Sequence, residues 1–130
     1  FTRVPERTAI LDQALSALLD DLNNRGMLDE TLIVLATEFG RTPNINVNEG
    51  RDHYPKAFSC MLAGGGIRGG QVWGKTDDEG RGVTDQRVEI PDFNATIAYC
   101  LGLPLDEIIY SPTRRPFTLS DKGNPLVELI

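Results

Sequence analysis

Apolar residues near the start of the chain recur at alternating steps of four and three. One stripe of that repeat is formed by four leucines: Leu11, Leu15, Leu18 and Leu22. This spacing is typical of an amphipathic helix. Pro5 suits the first turn of such a helix, and Gly26 suits its end. The pattern therefore predicts a helix over residues 5–24.

Two later runs are apolar without polar alternation. TLIVLAT occupies residues 31–37, and AFSCMLA occupies residues 57–63. Such runs are typical of strands covered on both faces, as in a parallel sheet. A third, short strand is predicted at residues 71–73, after a glycine-rich turn. Helix, turn and buried strand together predict an α/β fold.

The second half of the chain is more polar. Residues 75–87 are expected to form a surface loop or a hairpin. Apolar positions on one side of residues 93–101 predict a second helix, which Gly102 ends. The tail, PLVELI at residues 125–130, is apolar enough to dock on the rest of the chain.

Composition narrows the class of protein. A chain of 130 residues has the size of one domain. Its net charge of -6 has the wrong sign for attracting nucleic acid or an anionic membrane, and no apolar run is long enough for a membrane span. Cys60 and Cys100 lie inside apolar runs and are expected to be buried free thiols.

Candidate chemistry is concentrated in residues 38–54, EFGRTPNINVNEGRDHY, a loop longer than most connections. Its chemically active side chains are Glu38, Arg41, Arg51, Asp52 and the chain's single histidine, His53. Carboxylates with an imidazole suit a divalent metal site or an acid–base pair. A histidine beside an aspartate is also a common structural hydrogen-bonding unit, so both interpretations stay open.

The two arginines of this loop have two interpretations as well. Arg41 and Arg51 could hold an anionic group through bidentate hydrogen bonds, or pair with Glu38 and Asp52 to order the loop. Other motifs are weaker. LAGGGIRGG lacks the phosphate-loop pattern, TDDEG lacks the EF-hand pattern, and Ser59 lacks the surroundings of a serine nucleophile.

Several ordered segments resemble one known family. EFGRTP, then GRDH ahead of a GGG turn, then DFNATIAYCLGLP resemble the carboxy-terminal part of the bacterial proteins grouped as domain of unknown function 1501 (DUF1501). That family is similar to sulfatases and the alkaline phosphatase superfamily. The resemblance implies a three-layer, sandwich-like α/β fold with a mixed, mostly parallel sheet and flanking helices. It also implies that residues 1–130 are either a single domain or the carboxy-terminal portion of a larger one, exported to the periplasm.

The same resemblance suggests site residues. Glu38 takes the place of a metal-binding aspartate, and His53 that of a downstream metal-binding histidine, while Phe39 stands where the superfamily has a histidine ligand. The implied cofactor is a divalent metal, namely zinc, manganese or calcium. Asp52 is expected to orient His53, and Arg41 to hold the substrate.

Two functions remain open from the sequence. One is a relative of the metal-dependent hydrolases of phosphate or sulfate esters, acting on an anionic small molecule. Because the superfamily's nucleophile would precede this segment, the chain is expected to be incomplete as an enzyme and to need an amino-terminal segment or self-association. The alternative is a non-catalytic, exported binding or scaffold protein that keeps the fold.

Overall fold

The computed structural model describes residues 3–130, which form two α-helices and four two-stranded antiparallel sheets. The helices are α1 (Arg3–Asn24) and α2 (Ile90–Cys100). The strands are β1 (Ile33–Leu35), β2 (Gly40–Arg41), β3 (His53–Tyr54), β4 (Met61–Ala63), β5 (Lys75–Thr76), β6 (Val83–Asp85), β7 (Ile109–Tyr110) and β8 (Pro116–Phe117). Leu28–Glu30 and Val127–Leu129 form short 3-10 turns.

The first helix confirms the prediction from the leucine stripe. It ends in a left-handed glycine, Gly26, with φ +67°. The amide of Met27 donates to the carbonyl of Leu22 at 2.8 Å, and the amide of Gly26 donates to that of Asn23 at 3.0 Å. These two bonds form a Schellman cap, which satisfies carbonyls that the helix end leaves open.

The predicted parallel sheet is wrong. Strand β1 pairs with β4 in antiparallel register, with Val34 opposite Leu62. In the part of the chain that the structure describes, every strand has one antiparallel neighbour, and neither a parallel sheet nor a three-layer sandwich is present. An apolar segment indicates that a strand is buried. It does not specify how many strands flank that strand or whether they are parallel or antiparallel to it. Here the burial is also partial, because Val34 is 39% exposed.

The strand predicted at residues 71–73 is also wrong. Val72 is 91% exposed, and the chain enters a strand only at Lys75. Gly74 explains the shift because its φ of +86° breaks the extended backbone. From there β5 and β6 form the hairpin that was one of the two expectations for residues 75–87.

The tail docks on the rest of the chain, as expected, and the second helix is an element that holds it. Helix α2 begins with a capping box, in which the Glu89 amide donates to the Asp92 carboxylate at 3.1 Å. The other Asp92 oxygen accepts the Asn124 amide at 2.8 Å. Fully buried Thr96 accepts the Leu126 amide at 2.9 Å. The tail is therefore held against α2 by two side chains of that helix.

The two cysteines are free, as predicted, but their environments differ from the expectation. Cys60 is exposed, so its predicted burial is wrong, and Cys100 is half-buried on α2. Cys60 precedes β4 at a point where the sheet has only one neighbouring strand, and this leaves the thiol uncovered. Burial raises the pKa of the Cys100 thiol. Within residues 3–130, no helix has the length and apolarity needed to cross a membrane.

Candidate functional site

Residues 38–54 are folded back on themselves by two short strands. Gly40 lies opposite Tyr54, and Arg41 lies opposite His53, in the β2–β3 pair. A side chain at Gly40 would lie 2.4 Å from the carbonyl oxygen of Ala57. Only glycine therefore fits this crossing, which brings the start and the end of the segment together.

The tip of the segment is ordered by its own polar groups. The Asn46 amide donates to the Asp52 carboxylate at 2.8 Å. The Asn46 side-chain oxygen accepts the backbone amides of Asn48 and Gly50 at 2.9 and 3.0 Å. The Thr42 hydroxyl accepts the Asp52 amide at 3.1 Å. These bonds form an Asx-type turn closed across the two strands.

Both arginines of the segment bind backbone carbonyl groups. Arg41 donates from Nη1 to the carbonyl oxygen of Arg51 at 3.2 Å. Arg51 donates from Nη1 to the carbonyl oxygen of Thr42 at 2.8 Å and also to that of Pro43. The guanidinium groups therefore help to hold the tip in place.

An open cleft of about 920 Å³ lies along β2 and β3. It is lined by Glu38, Phe39, Arg41, His53, Phe58 and Ser59, among others. The imidazole of His53 stacks on the ring of Phe39, with centroids 4.0 Å apart and an interplanar angle of 29°. The Arg41 guanidinium lies 5.9 Å from the centroid of the same ring. The cleft thus brings together three of the five predicted site residues, Glu38, Arg41 and His53.

Of the five predicted site residues, Glu38 and His53 are the two whose side chains have no polar partner within residues 3–130. Within residues 3–130, neither the Glu38 carboxylate nor the His53 ring nitrogens take part in a hydrogen bond or an ion pair. Stacking covers a face of the imidazole, whereas its nitrogen lone pair lies in the ring plane. The nitrogens of His53 therefore remain able to bind a ligand.

Asp52 lies on the opposite side of β3. It lines a smaller cavity of about 260 Å³, together with Tyr54 and Arg81. Successive side chains of a strand point to opposite faces, so Asp52 and Tyr54 lie apart from His53. The Tyr54 hydroxyl donates to the Arg81 carbonyl at 2.5 Å, which joins the segment to the β5–β6 hairpin. Asp52 is thus placed to order the tip through Asn46.

The donor set in the cleft limits what it can coordinate. No group of three His, Cys, Asp or Glu side chains that could hold a metal ion occurs among the described residues. The cleft offers one carboxylate and one imidazole, a mixed oxygen and nitrogen set that divalent metals accept. Further coordination positions would be filled by water, by a ligand, or by groups from outside residues 3–130.

Sequence reasoning did not place Phe58 and Ser59, which precede β4, in the cleft. Their position in the cleft depends on the β1–β4 and β2–β3 pairings, which no local pattern indicates. It also treated Phe39 only as a lost ligand. The aromatic residue directly after Glu38 could have suggested that its ring stacks against the single histidine.

The acidic turn after β5 has a structural explanation. The Asp77 carboxylate accepts the backbone amides of Arg81 at 2.8 Å and of Glu79 at 3.0 Å. The Arg81 amide is the main cause that lowers the pKa of Asp77, because hydrogen bonds favour the charged form. Asp77 therefore serves to close the β5–β6 turn.

Comparison with known proteins gives one match. The family described as "Protein of unknown function (DUF1501)" matches residues 1–130. No curated protein matches the chain, and no solved structure does.

Proposed function

The chain belongs to the DUF1501 family, and we propose that its cleft supplies two ligands, Glu38 and His53, to a divalent metal site. By this proposal the protein is related in function to the metal-dependent hydrolases of phosphate or sulfate esters. The segment carries part of such a site, and further ligands come from outside residues 3–130.

One observation carries the proposal. Every other charged side chain singled out in residues 38–54 has a polar partner: Arg41 and Arg51 bind carbonyls, and Asp52 binds Asn46. Glu38 and His53 have none within residues 3–130, although they line the same cleft. The bonds of these three side chains order the loop, whereas the exposed side chains of Glu38 and His53 do not contribute to that order. A metal site needs coordinating side chains that have no other partner, and Glu38 and His53 are two such side chains at one cleft.

The chemistry of these donors favours certain metals. A carboxylate and an imidazole suit zinc or manganese better than calcium, which prefers oxygen ligands alone. A metal held there would polarise a phosphoryl or sulfuryl oxygen and acidify a bound water. The residues of the chain have separate tasks. Phe39 fixes the plane of the His53 ring, and Arg41 presents positive charge at the edge of the cleft to an anionic ester.

A non-catalytic, exported binding or scaffold protein is the second candidate. It is favoured by the Arg41 and Arg51 contacts, because guanidinium groups bonded to the loop's own carbonyls have fewer donors left for a substrate. In this case Glu38 and His53 would bind a partner molecule without catalysing a reaction. Metal binding separates the two candidates, since only the first requires it.

Isothermal titration of the protein with Zn²⁺ and with Mn²⁺ tests the first proposal. His53→Ala and Glu38→Gln should each raise the metal dissociation constant by at least about 10-fold to 100-fold, the range seen when even a supporting residue of a metal site is lost. Glu49→Gln is the matched control, because Glu49 is an exposed carboxylate of the same segment outside the cleft. Equal affinity in all four proteins would refute the ligand assignment.

A further inference from the structure

The cavity of about 260 Å³ lies between the tip of residues 38–54 and the β5–β6 hairpin. Three parts of the chain form its walls. Residues 42–46 of the tip form one wall, Asp52 and Tyr54 form another, and Arg81 of the hairpin turn forms the third. None of these residues lines the cleft of Glu38 and His53. The cavity is therefore separate from the proposed metal site.

Hydrogen bonds hold the walls of this cavity in place. The Tyr54 hydroxyl donates to the Arg81 carbonyl at 2.5 Å, which fixes the distance between the segment and the hairpin. The Asn46 amide donates to Oδ1 of Asp52 at 2.8 Å, and Arg51 donates to two carbonyl groups of the tip. A ligand that enters a preformed cavity loses less free energy to ordering the protein.

Three side chains in the walls keep hydrogen-bonding groups that the described part of the chain does not use. The Oδ2 atom of Asp52 has no hydrogen bond or ion pair within residues 3–130. The side-chain amide of Asn44 takes part in no hydrogen bond within the same residues. The Tyr54 oxygen donates its proton but keeps lone pairs that accept. The walls therefore offer both acceptors and donors to a ligand.

Charge and hydrogen-bonding capacity together select a neutral ligand that carries hydroxyl groups. The Arg81 guanidinium pairs with Glu79, so the carboxylate of Asp52 is the charge in the walls without an ionic partner, and it repels an anion. An ammonium group donates but cannot accept, so the amide donors of Asn44 would stay unused. A hydroxyl group donates and accepts, and it suits all three side chains.

We propose that this cavity binds a neutral sugar, through hydrogen bonds of the sugar hydroxyls to Asn44, Asp52 and Tyr54. The volume is slightly below the range of about 300 to 1,000 Å³ usual for larger ligands, and it suits one monosaccharide unit. Pro43 and Ile45 also line the cavity and supply apolar surface for the CH groups of a sugar ring. The inference does not depend on the metal proposal, because the two sites share no residue.

NMR titration of the isotope-labelled chain with D-glucose, D-galactose and D-mannose tests the proposal. At least one sugar should shift the backbone amide signals of Asn44 and Tyr54 and leave that of Ser59, in the cleft, unchanged. Asn44→Ala should raise the dissociation constant about threefold to tenfold, because one hydrogen bond is lost. Asp52→Asn should raise it about tenfold or more, because a charged acceptor binds more strongly. Asn48→Ala is the matched control, since Asn48 is an exposed amide of the same tip outside the cavity.

Three results would overturn the proposal. The first is no shift with any of the three sugars at about 100 mM, far above a millimolar dissociation constant. The second is tighter binding of glucosamine or of glucuronate, which would assign the cavity to a cation or to an anion. The third is equal sugar affinity in the wild type, Asn44→Ala and Asp52→Asn. The first two measurements use the wild-type chain alone, and circular dichroism shows whether the variants still fold.

Discussion

The imidazole of His53 stacks on the phenyl ring of Phe39, with ring centroids 4.0 Å apart. The two residues lie at opposite ends of a seventeen-residue segment that the β2–β3 pair closes. Phe39 directly follows Glu38, and both residues line the cleft that His53 also lines. A side chain that cannot coordinate a metal is thus in contact with one that we propose as a ligand.

This stack should contribute measurably to stability. We expect a double-mutant cycle of Phe39→Leu and His53→Ala to give a coupling energy of about 0.5 to 1.5 kcal/mol, the usual worth of an aromatic pair. Urea denaturation of the four proteins measures it. Phe117→Leu combined with His53→Ala serves as the control and should be additive, since Phe117 lies in the separate β7–β8 pair. A coupling energy of zero for the first pair would refute the role of the stack.

The docking of the tail should depend in part on the buried hydroxyl of Thr96. Thr96→Val removes the acceptor of the Leu126 amide, and we expect it to lower the free energy of unfolding by about 1 to 3 kcal/mol. Hydrogen exchange at the Leu126 amide should accelerate. Thr76→Val, at an exposed strand position, is the control and should change stability little. Unchanged exchange at Leu126 would contradict the docking of the tail.

Two glycines should respond oppositely to alanine. A Cβ atom at Gly123 would lie 2.1 Å from the backbone of Pro91, whereas one at Gly69 would meet nothing within 4 Å. Gly123→Ala should therefore lower the free energy of unfolding by about 1 to 3 kcal/mol or more. Gly69→Ala should be neutral or slightly stabilising. Thermal melts of both variants make the comparison, and equal melting temperatures would contradict the close contact between the tail and α2.

The two thiols should react at different rates and with different pH dependence. Cys60 is exposed and should react rapidly with a thiol reagent, whereas half-buried Cys100 should react slowly. Because burial raises the pKa of Cys100, its thiolate forms only at higher pH and its reaction should accelerate there. The Cys60→Ser and Cys100→Ser proteins report each thiol alone. A faster reaction at Cys100 near neutral pH would contradict the assignment.

Local sequence signals predicted those elements that local contacts determine. The leucine repeat gave α1, and the apolar side of residues 93–101 with Gly102 gave α2, which begins three residues earlier than predicted. Glycine-rich turns bounded β4 and the hairpin after it. Helix periodicity and turn-forming residues involve positions only a few residues apart, so both can be recognised in a single sequence.

Strand pairing could not be predicted in the same way. The run at residues 31–37 contains a strand, but only Ile33–Leu35 pairs, and its partner lies far along the chain. Nothing in an apolar run specifies the direction of that partner. The candidate site shows the same limit, because the sequence identified Glu38 and His53, but their common cleft depends on the pairing of Arg41 with His53.

The central claim is that Glu38 and His53 bind one metal ion together. An anomalous difference map of crystals of the protein soaked in zinc, recorded at the zinc edge, tests this claim most directly. We expect a peak about 2.0 to 2.2 Å from a His53 ring nitrogen and from a Glu38 oxygen. No peak in the cleft, or a peak that touches only one of the two side chains, would contradict the claim.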